Sequence, residues 1–210
     1  MADLNSIIET LISGEEGKLT ELVKKALDQG ISAKKILDEG LIHGMDIVGE
    51  RMETGEMFIP EVLRCAKVMN GAVEILKPFL GEEDMSAAGK VVIGTVKGDL
   101  HDIGKNLVVM MLESAGFEVY NLGVDISPET FVAAIKEKDP DILGLSALLT
   151  TTMNMMKVTI DSIKESGLRD RIKIMVGGAP VNQDFAEEIG ANGYAPDAGS
   201  ATRLAKTLVG

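Results

Sequence analysis

Lys90-Val91-Val92-Ile93-Gly94-Thr95-Val96 is a short β-branched run with no polar alternation. A strand with one wet face alternates apolar and polar residues, whereas a strand covered on both faces of a parallel sheet reads as a continuous apolar run. This stretch is of the second kind. Outward from it, similar runs return at 117–122, 141–146, 173–176 and, more weakly, 193–195. Helical spacing fills the intervals, for example at 103–114 and 152–166. Ser127-Pro128-Glu129 joins an N-cap serine to a proline at the first helical position. Five strands alternating with helices predict an α/β, doubly wound, flavodoxin-like or Rossmann-like domain around a five-stranded parallel sheet.

Upstream, residues 3–80 place apolar side chains at helical spacing, as in Leu19, Leu22, Val23, Ala26 and Leu27, with no alternating stretch. They predict a four-helix bundle. Breaks fall at Gly14, Gly30 and Thr54-Gly55-Glu56, and Ile59-Pro60 opens a last helix running to Phe79. The segment 81–89, polar, small and bounded by glycines, reads as a connector. The expected domains are a helical bundle over 1–84 and the doubly wound domain over 85–210.

Composition narrows the possible functions. The 210 residues suffice for two domains, and 45% hydrophobic against 26% charged residues describes a globular chain. The formal charge of −12 repels phosphate backbones and anionic headgroups, so neither nucleic acid nor a membrane surface is an expected partner. No apolar run approaches the roughly 18–20 residues that cross a bilayer, and Met1-Ala2-Asp3-Leu4-Asn5 lacks the features of a signal peptide, which predicts a cytoplasmic protein. The single cysteine, Cys65, excludes an internal disulfide and a cysteine-based zinc site, and reads as a small buried apolar side chain.

In a sheet of order 2-1-3-4-5, ligands bind at the carboxyl edge, where the loops after the first and third strands diverge. The first of these loops reads Lys97-Gly98-Asp99-Leu100-His101-Asp102-Ile103-Gly104-Lys105-Asn106, and the second Ser146-Ala147-Leu148-Leu149-Thr150-Thr151-Thr152. A metal ion held by protein alone needs three or four ligands, which these loops do not supply. A metal already chelated in plane by a macrocycle needs only one axial nitrogen. Imidazole suits that role when its other nitrogen donates to a carboxylate that fixes the tautomer and raises basicity, and Asp99 stands two residues from His101. The threonine run is equally the composition of a helix N-cap. A serine hydrolase built from Ser146, His101 and Asp99 is disfavoured because no Gly-x-Ser-x-Gly elbow is present.

The string Gly98-Asp99-Leu100-His101-Asp102-Ile103-Gly104, then Ser146-Ala147-Leu148, then Gly177-Gly178, resembles the Asp-x-His-x-x-Gly, Ser-x-Leu and Gly-Gly signatures of cobalamin-binding domains, in the same order. Gly44-Met45-Asp46-Ile47-Val48-Gly49-Glu50, Gly55-Glu56-Met57-Phe58-Ile59-Pro60 and Ala66-Lys67-Val68-Met69 resemble the helical cap that accompanies this domain in methionine synthase. The two-domain unit is similar to the corrinoid proteins of methanol, methylamine, betaine and aryl-ether methyltransferase systems.

The resemblance implies that His101 is the lower axial ligand of cobalt, replacing the cofactor's own base, with Asp99 and Thr152 completing a relay behind it. Gly98, Asp99, Leu100, His101 and Asp102, with Ile103 and Gly104 beside them, would line the lower face of the ring. Ser146 and Thr150 match contacts to the displaced nucleotide tail, Leu148, Gly177 and Gly178 match its slot, and Ala198 matches a further tail contact. Met57 and Phe58 match the cover of the upper face, and 81–89 the hinge on which that cover moves. The implied activity is methyl carriage between cob(I)alamin and methylcob(III)alamin states. The implied partners are a substrate-specific methyltransferase, a second methyltransferase using tetrahydrofolate or a thiol, and a reductive activation protein. The cobalamin subunit of an adenosylcobalamin-dependent mutase and a cobalamin-dependent sensor share the histidine loop and are the alternatives, which the helical cap and the acidic charge disfavour. The methyl donor, the acceptor and the oligomeric state are not written in the sequence.

Overall fold

The computed structural model describes residues 3–81 and 88–210. The chain divides near residue 86 into two compact units. The predicted 84/85 boundary and most of the 81–89 connector, residues 82–87, lie outside the described residues.

The first unit is helical. Asp3 caps α1 (Leu4–Ser13) by accepting from the Ser6 N–H at 2.7 Å, and α1 closes at Gly14, whose φ of 70° is left-handed. After α2 (Glu16–Asp28), the short α3 (Ala33–Lys35) passes through a π-helical segment, Ile36–Ile42, into α4 (His43–Glu53), forming one rod. The Phe58 N–H donates to Glu61 Oε2 at 2.8 Å where α5 (Ile59–Leu76) begins, with Pro60 in its first turn; a 3₁₀ turn, Lys77–Phe79, follows. The described residues thus form four helical rods, broken where glycine and turn residues predicted. Ile7, Leu11, Leu19, Val23, Val48 and Val62 expose no surface, so the apolar faces of these helices meet in one core. Cys65 is buried with its Sγ 3.3 Å from the Ile12 carbonyl, and desolvation raises its thiol pKa.

The second unit runs β1 (Lys90–Thr95), α6 (Ile103–Ser114), β2 (Glu118–Asn121), α7 (Pro128–Lys138), β3 (Ile142–Ser146), α8 (Thr150–Glu165), β4 (Lys173–Gly177), α9 (Gln183–Glu188), β5 (Gly193–Ala195) and α10 (Ala198–Val209). The strands pair in parallel in the order β2-β1-β3-β4-β5. Val91 and Ile93 of β1 point to the layer of α6 and α10, packing with Leu112 and Ala205. Val92 points to the opposite layer, with Phe131 of α7 and Met156 and Ile160 of α8. Both faces are therefore dry, which is why the β-branched runs lack alternation. Thr95, Ser146, Gly177 and Ala195 stand in register across four strand ends, so the loops that follow emerge from one edge. Among the boundaries that differ from expectation, β2 is shorter than 117–122, and α8 starts at Thr150, which sets Thr152 third in the first helical turn instead of first.

At that edge Gly178 has a φ of 129°, and a Cβ placed on it would lie 1.9 Å from the Ala147 carbonyl oxygen. The loop after β4 thus packs main chain against main chain on the loop after β3, a fit that only glycine permits. Gly178→Ala should destabilise the second unit by roughly 3 kcal/mol. Gly104→Ala, in open space within α6, should stay within about 1 kcal/mol of the unaltered protein. Urea unfolding followed by tyrosine fluorescence reads this unit alone, because both tyrosines, Tyr120 and Tyr194, belong to it and tryptophan is absent.

Candidate functional site

The loop between β1 and α6 leaves the sheet through Gly98, whose φ of 83° requires the left-handed region. This reversal turns Asp99 inward and leaves His101 at the surface: Asp99 is fully buried, while the His101 side chain is half exposed. His101 Nδ1 lies 2.7 Å from Asp99 Oδ1, which also accepts the His101 N–H at 3.1 Å. Asp99 Oδ2 accepts the Leu148 N–H at 2.8 Å, the Leu149 N–H at 3.3 Å and the Thr152 hydroxyl at 2.6 Å. The Thr152 oxygen is also 2.9 Å from the Leu149 carbonyl, but its single proton goes to the nearer, charged acceptor. The sequence-predicted relay residues Asp99, His101 and Thr152 are thus joined in a row.

Burial pushes the Asp99 carboxyl up, but the donors from Thr152, Leu148 and His101 outweigh it and hold the group far below the usual carboxylate range. Asp99 is therefore an anion, and an anion cannot donate. The proton between it and His101 must sit on Nδ1, which leaves the lone pair of the neutral ring on Nε2. A half-exposed imidazole with a fixed tautomer and a carboxylate behind it is the donor arrangement of an oriented metal ligand.

Leu100, Ile103, Leu148 and Leu149 are exposed apolar residues of the same two loops. Gly104 lies open beside them, Asp102 is exposed, Ser146 is half-buried at the end of β3, and Thr150 is exposed at the start of α8. Gly177 and Gly178 close β4 at the same edge. Ala198 opens α10 and is buried. Met57 and Phe58 belong to the first unit, where Met57 is buried and Phe58 is 68% exposed. His43 is also in the first unit and is exposed.

Sequence reasoning passed over three further residues. Thr95, fully buried, donates from its hydroxyl to the His101 carbonyl at 2.8 Å. Asp125, in the loop after β2, accepts the Gly98 N–H at 2.8 Å. Lys105 is buried, with its Nζ at 2.8 Å from Asn121 Oδ1 and close to Asn106 Oδ1, while Asn106 in turn donates to Asp102 Oδ2 at 3.0 Å. Desolvation lowers the Lys105 pKa. A signal for Lys105 did exist: it stands four and seven residues before Val109 and Leu112 on the buried stripe of α6.

No group of three or more histidine, cysteine, aspartate or glutamate side chains among the described residues could hold a metal ion. One oriented imidazole in an apolar, open surround fits instead a flat macrocycle that brings its own metal and lacks only an axial donor. A B12-binding domain model matches residues 89–203, and a second B12-binding domain model matches residues 4–77. A corrinoid protein of Desulfitobacterium hafniense is 43% identical over 213 residues, covering 100% of this chain and 99% of that one. The chain belongs to the B12-binding corrinoid proteins. Dimethylamine corrinoid protein 3 of Methanosarcina acetivorans is 42% identical over 98% of this chain and 96% of its own. The methanol:cobalamin methyltransferase complex MtaBC from Methanosarcina barkeri contains a chain that matches with a TM-score of 0.84 at 32% identity, covering 98% of this chain and 79% of that chain. No helix among the described residues is long and apolar enough to cross a membrane.

Two outcomes follow for this corrinoid protein's second unit. Because the Asp99 pKa is depressed in the fold, its contribution to stability is complete above the unfolded aspartate's value of about 3.9 and is lost as pH falls below it. The acid limb of a urea-stability profile below about pH 4 should therefore be shallower in Asp99→Asn. Thr152→Val, which removes a buried donor to a carboxylate, should destabilise by about 2 kcal/mol, and Thr152→Ser should recover most of it.

Proposed function

We propose that this protein is a methyl carrier that binds a cobalamin-type corrinoid at the carboxyl edge of its sheet, with His101 Nε2 as the lower axial ligand. The observation that carries this reading is the row from Thr152 through Asp99 to His101, which ends in an imidazole lone pair at an open, apolar surface. When bound, the corrinoid supplies a cobalt centre able to accept and give up a methyl group.

The chain's own residues orient that centre and hold a proton. Asp99 accepts a hydrogen bond from the Nδ1–H and so turns the Nε2 lone pair outward, the orientation a ligating imidazole needs. With Nε2 unligated, that nitrogen could hold a proton, and the buried carboxylate, held by Thr152, would face the charged ring. Gly98, Leu100, Asp102, Ile103 and Gly104 line the lower face, while Ser146, Leu148, Thr150, Gly177, Gly178 and Ala198 receive the displaced nucleotide tail. The tail assignment is supported by the shared place of these residues at the carboxyl edge of the sheet.

The methyl donor is a methylated amine delivered by a substrate-specific methyltransferase, a reading supported by the similarity to a dimethylamine corrinoid protein over nearly all of both chains. Docking of such an enzyme is supported by the likeness to a chain of the methanol methyltransferase complex. A second methyltransferase passes the methyl group to tetrahydrofolate or a thiol, and a reductive activation protein restores the reduced metal after oxidation.

Incubation with hydroxocobalamin should give a coloured protein that keeps the corrinoid through gel filtration, and His101→Ala should change its visible spectrum. The same spectrum in His101→Ala would refute His101 as the ligand. Dimethylamine, trimethylamine and methanol, each offered with its methyltransferase and the reduced holoprotein, should separate the donors, with methylation from the amines at least tenfold faster than from methanol.

A further inference from the structure

Asp125 lies outside every sequence motif, yet it grips the histidine loop at two successive residues. Its Oδ1 accepts the Gly98 N–H at 2.8 Å, and its own N–H donates to the Asp99 carbonyl at 3.0 Å. Lys97 Nζ lies 3.1 Å from the same carboxylate. Asp125 holds a φ of 56°. Asp139, the other non-glycine residue with positive φ among those described, ends a helix, as left-handed residues commonly do. Asp125 caps no helix. Its left-handed conformation serves the turn that carries Asp99, and aspartate and asparagine tolerate that region better than other non-glycine residues.

Beside this clasp, Ile126 donates to the Thr95 carbonyl at 3.0 Å and Thr95 donates to the His101 carbonyl, so the loop after β2 is zipped to the base of the histidine loop. The Asp125 side chain is 42% exposed and contributes nothing to the core. A ligating side chain must be held within about 0.5 Å of its working geometry by the residues around it. The Asp99 carboxylate that meets His101 Nδ1 at 2.7 Å is carried on the main chain that Asp125 holds.

We propose that Asp125 is a positioning residue for His101: by clamping the Gly98-Asp99 turn it keeps the imidazole in its ligating pose and so sets the balance between histidine-bound and histidine-released corrinoid. This inference rests on the axial-ligand reading above and adds to it a residue that touches neither the metal nor the imidazole.

The test uses ¹⁵N-labelled full-length protein loaded with cob(II)alamin. In electron paramagnetic resonance a labelled protein histidine splits the cobalt lines into doublets, whereas the cofactor's own ¹⁴N base would give triplets. Asp125→Ala should lower the ratio of histidine-bound to histidine-released cobalt by about fivefold to tenfold, as expected for a lost hydrogen bond to a charged acceptor. Asp125→Asn, which keeps an oxygen acceptor and tolerates left-handed backbone, should stay within about twofold of the unaltered protein. Asp125→Gly, which frees the backbone but removes the acceptor, should fall with alanine. In the apoprotein, ring ¹⁵N shifts should show His101 protonated at Nδ1 in the unaltered chain and a tautomer mixture in Asp125→Ala.

An unchanged ratio in Asp125→Ala or Asp125→Gly overturns the proposal, as does an asparagine variant that behaves like alanine. If Asp125→Ala does not fold, the glycine and asparagine variants decide between the same outcomes. Absence of doublets in the unaltered holoprotein is a separate result: it removes the axial-ligand reading itself, and this inference with it.

Discussion

One buried carboxylate organises the carboxyl edge of the sheet. Asp99 exposes no surface, and left unpartnered its charge would be strongly unfavourable in the fold. Five donors satisfy it: two from His101, two main-chain N–H groups from the loop after β3, and the Thr152 hydroxyl. Those donors fix the ionisation state, the ionisation state fixes the histidine tautomer, and the tautomer decides which ring nitrogen is offered outward. Remove the carboxylate and the histidine becomes an ordinary surface side chain.

The sheet makes such a convergence possible. Parallel strands send every β-to-α loop to the same end, and the β2-β1-β3 order sets the loops after β1 and β3 side by side, with the loop after β2 flanking β1. Dry layers on both faces hold the strand ends rigid, so loops anchored at Thr95, Ser146 and Gly177 start from fixed positions. Chemistry is thereby confined to the loops and packing to the strands.

Much of this was legible before any coordinates, because the signals were local. The unbroken β-branched runs specified buried parallel strands, Ser127-Pro128 marked the start of α7 to the residue, and glycines at 14 and 30 marked helix ends. The pairing of Asp99 with His101 follows from two residues in one loop. The role of Asp125 does not, because its hydrogen bonds span 26 and 27 residues and depend on a left-handed φ that aspartate does not announce. The π-helical segment was equally silent. Its residues, Ile36 to Ile42, keep an ordinary helical composition, and widening a turn by one residue leaves no mark on apolar spacing over so short a stretch. Thr152 shows the middle case: its residue type was informative, but whether it capped α8 or lay within it turned on a two-residue shift of the helix start.

The two oxygens of Asp99 serve different masters. Oδ1 is occupied wholly by its neighbour two residues on, whereas Oδ2 is satisfied by a segment 49 to 53 residues further along the chain. A chain that has made β1 and the first loop but not yet β3 and α8 therefore carries Asp99 with only its local partners. The paired carboxylate and imidazole are therefore complete only when both segments have folded together, which makes them a property of the finished domain and not of the loop.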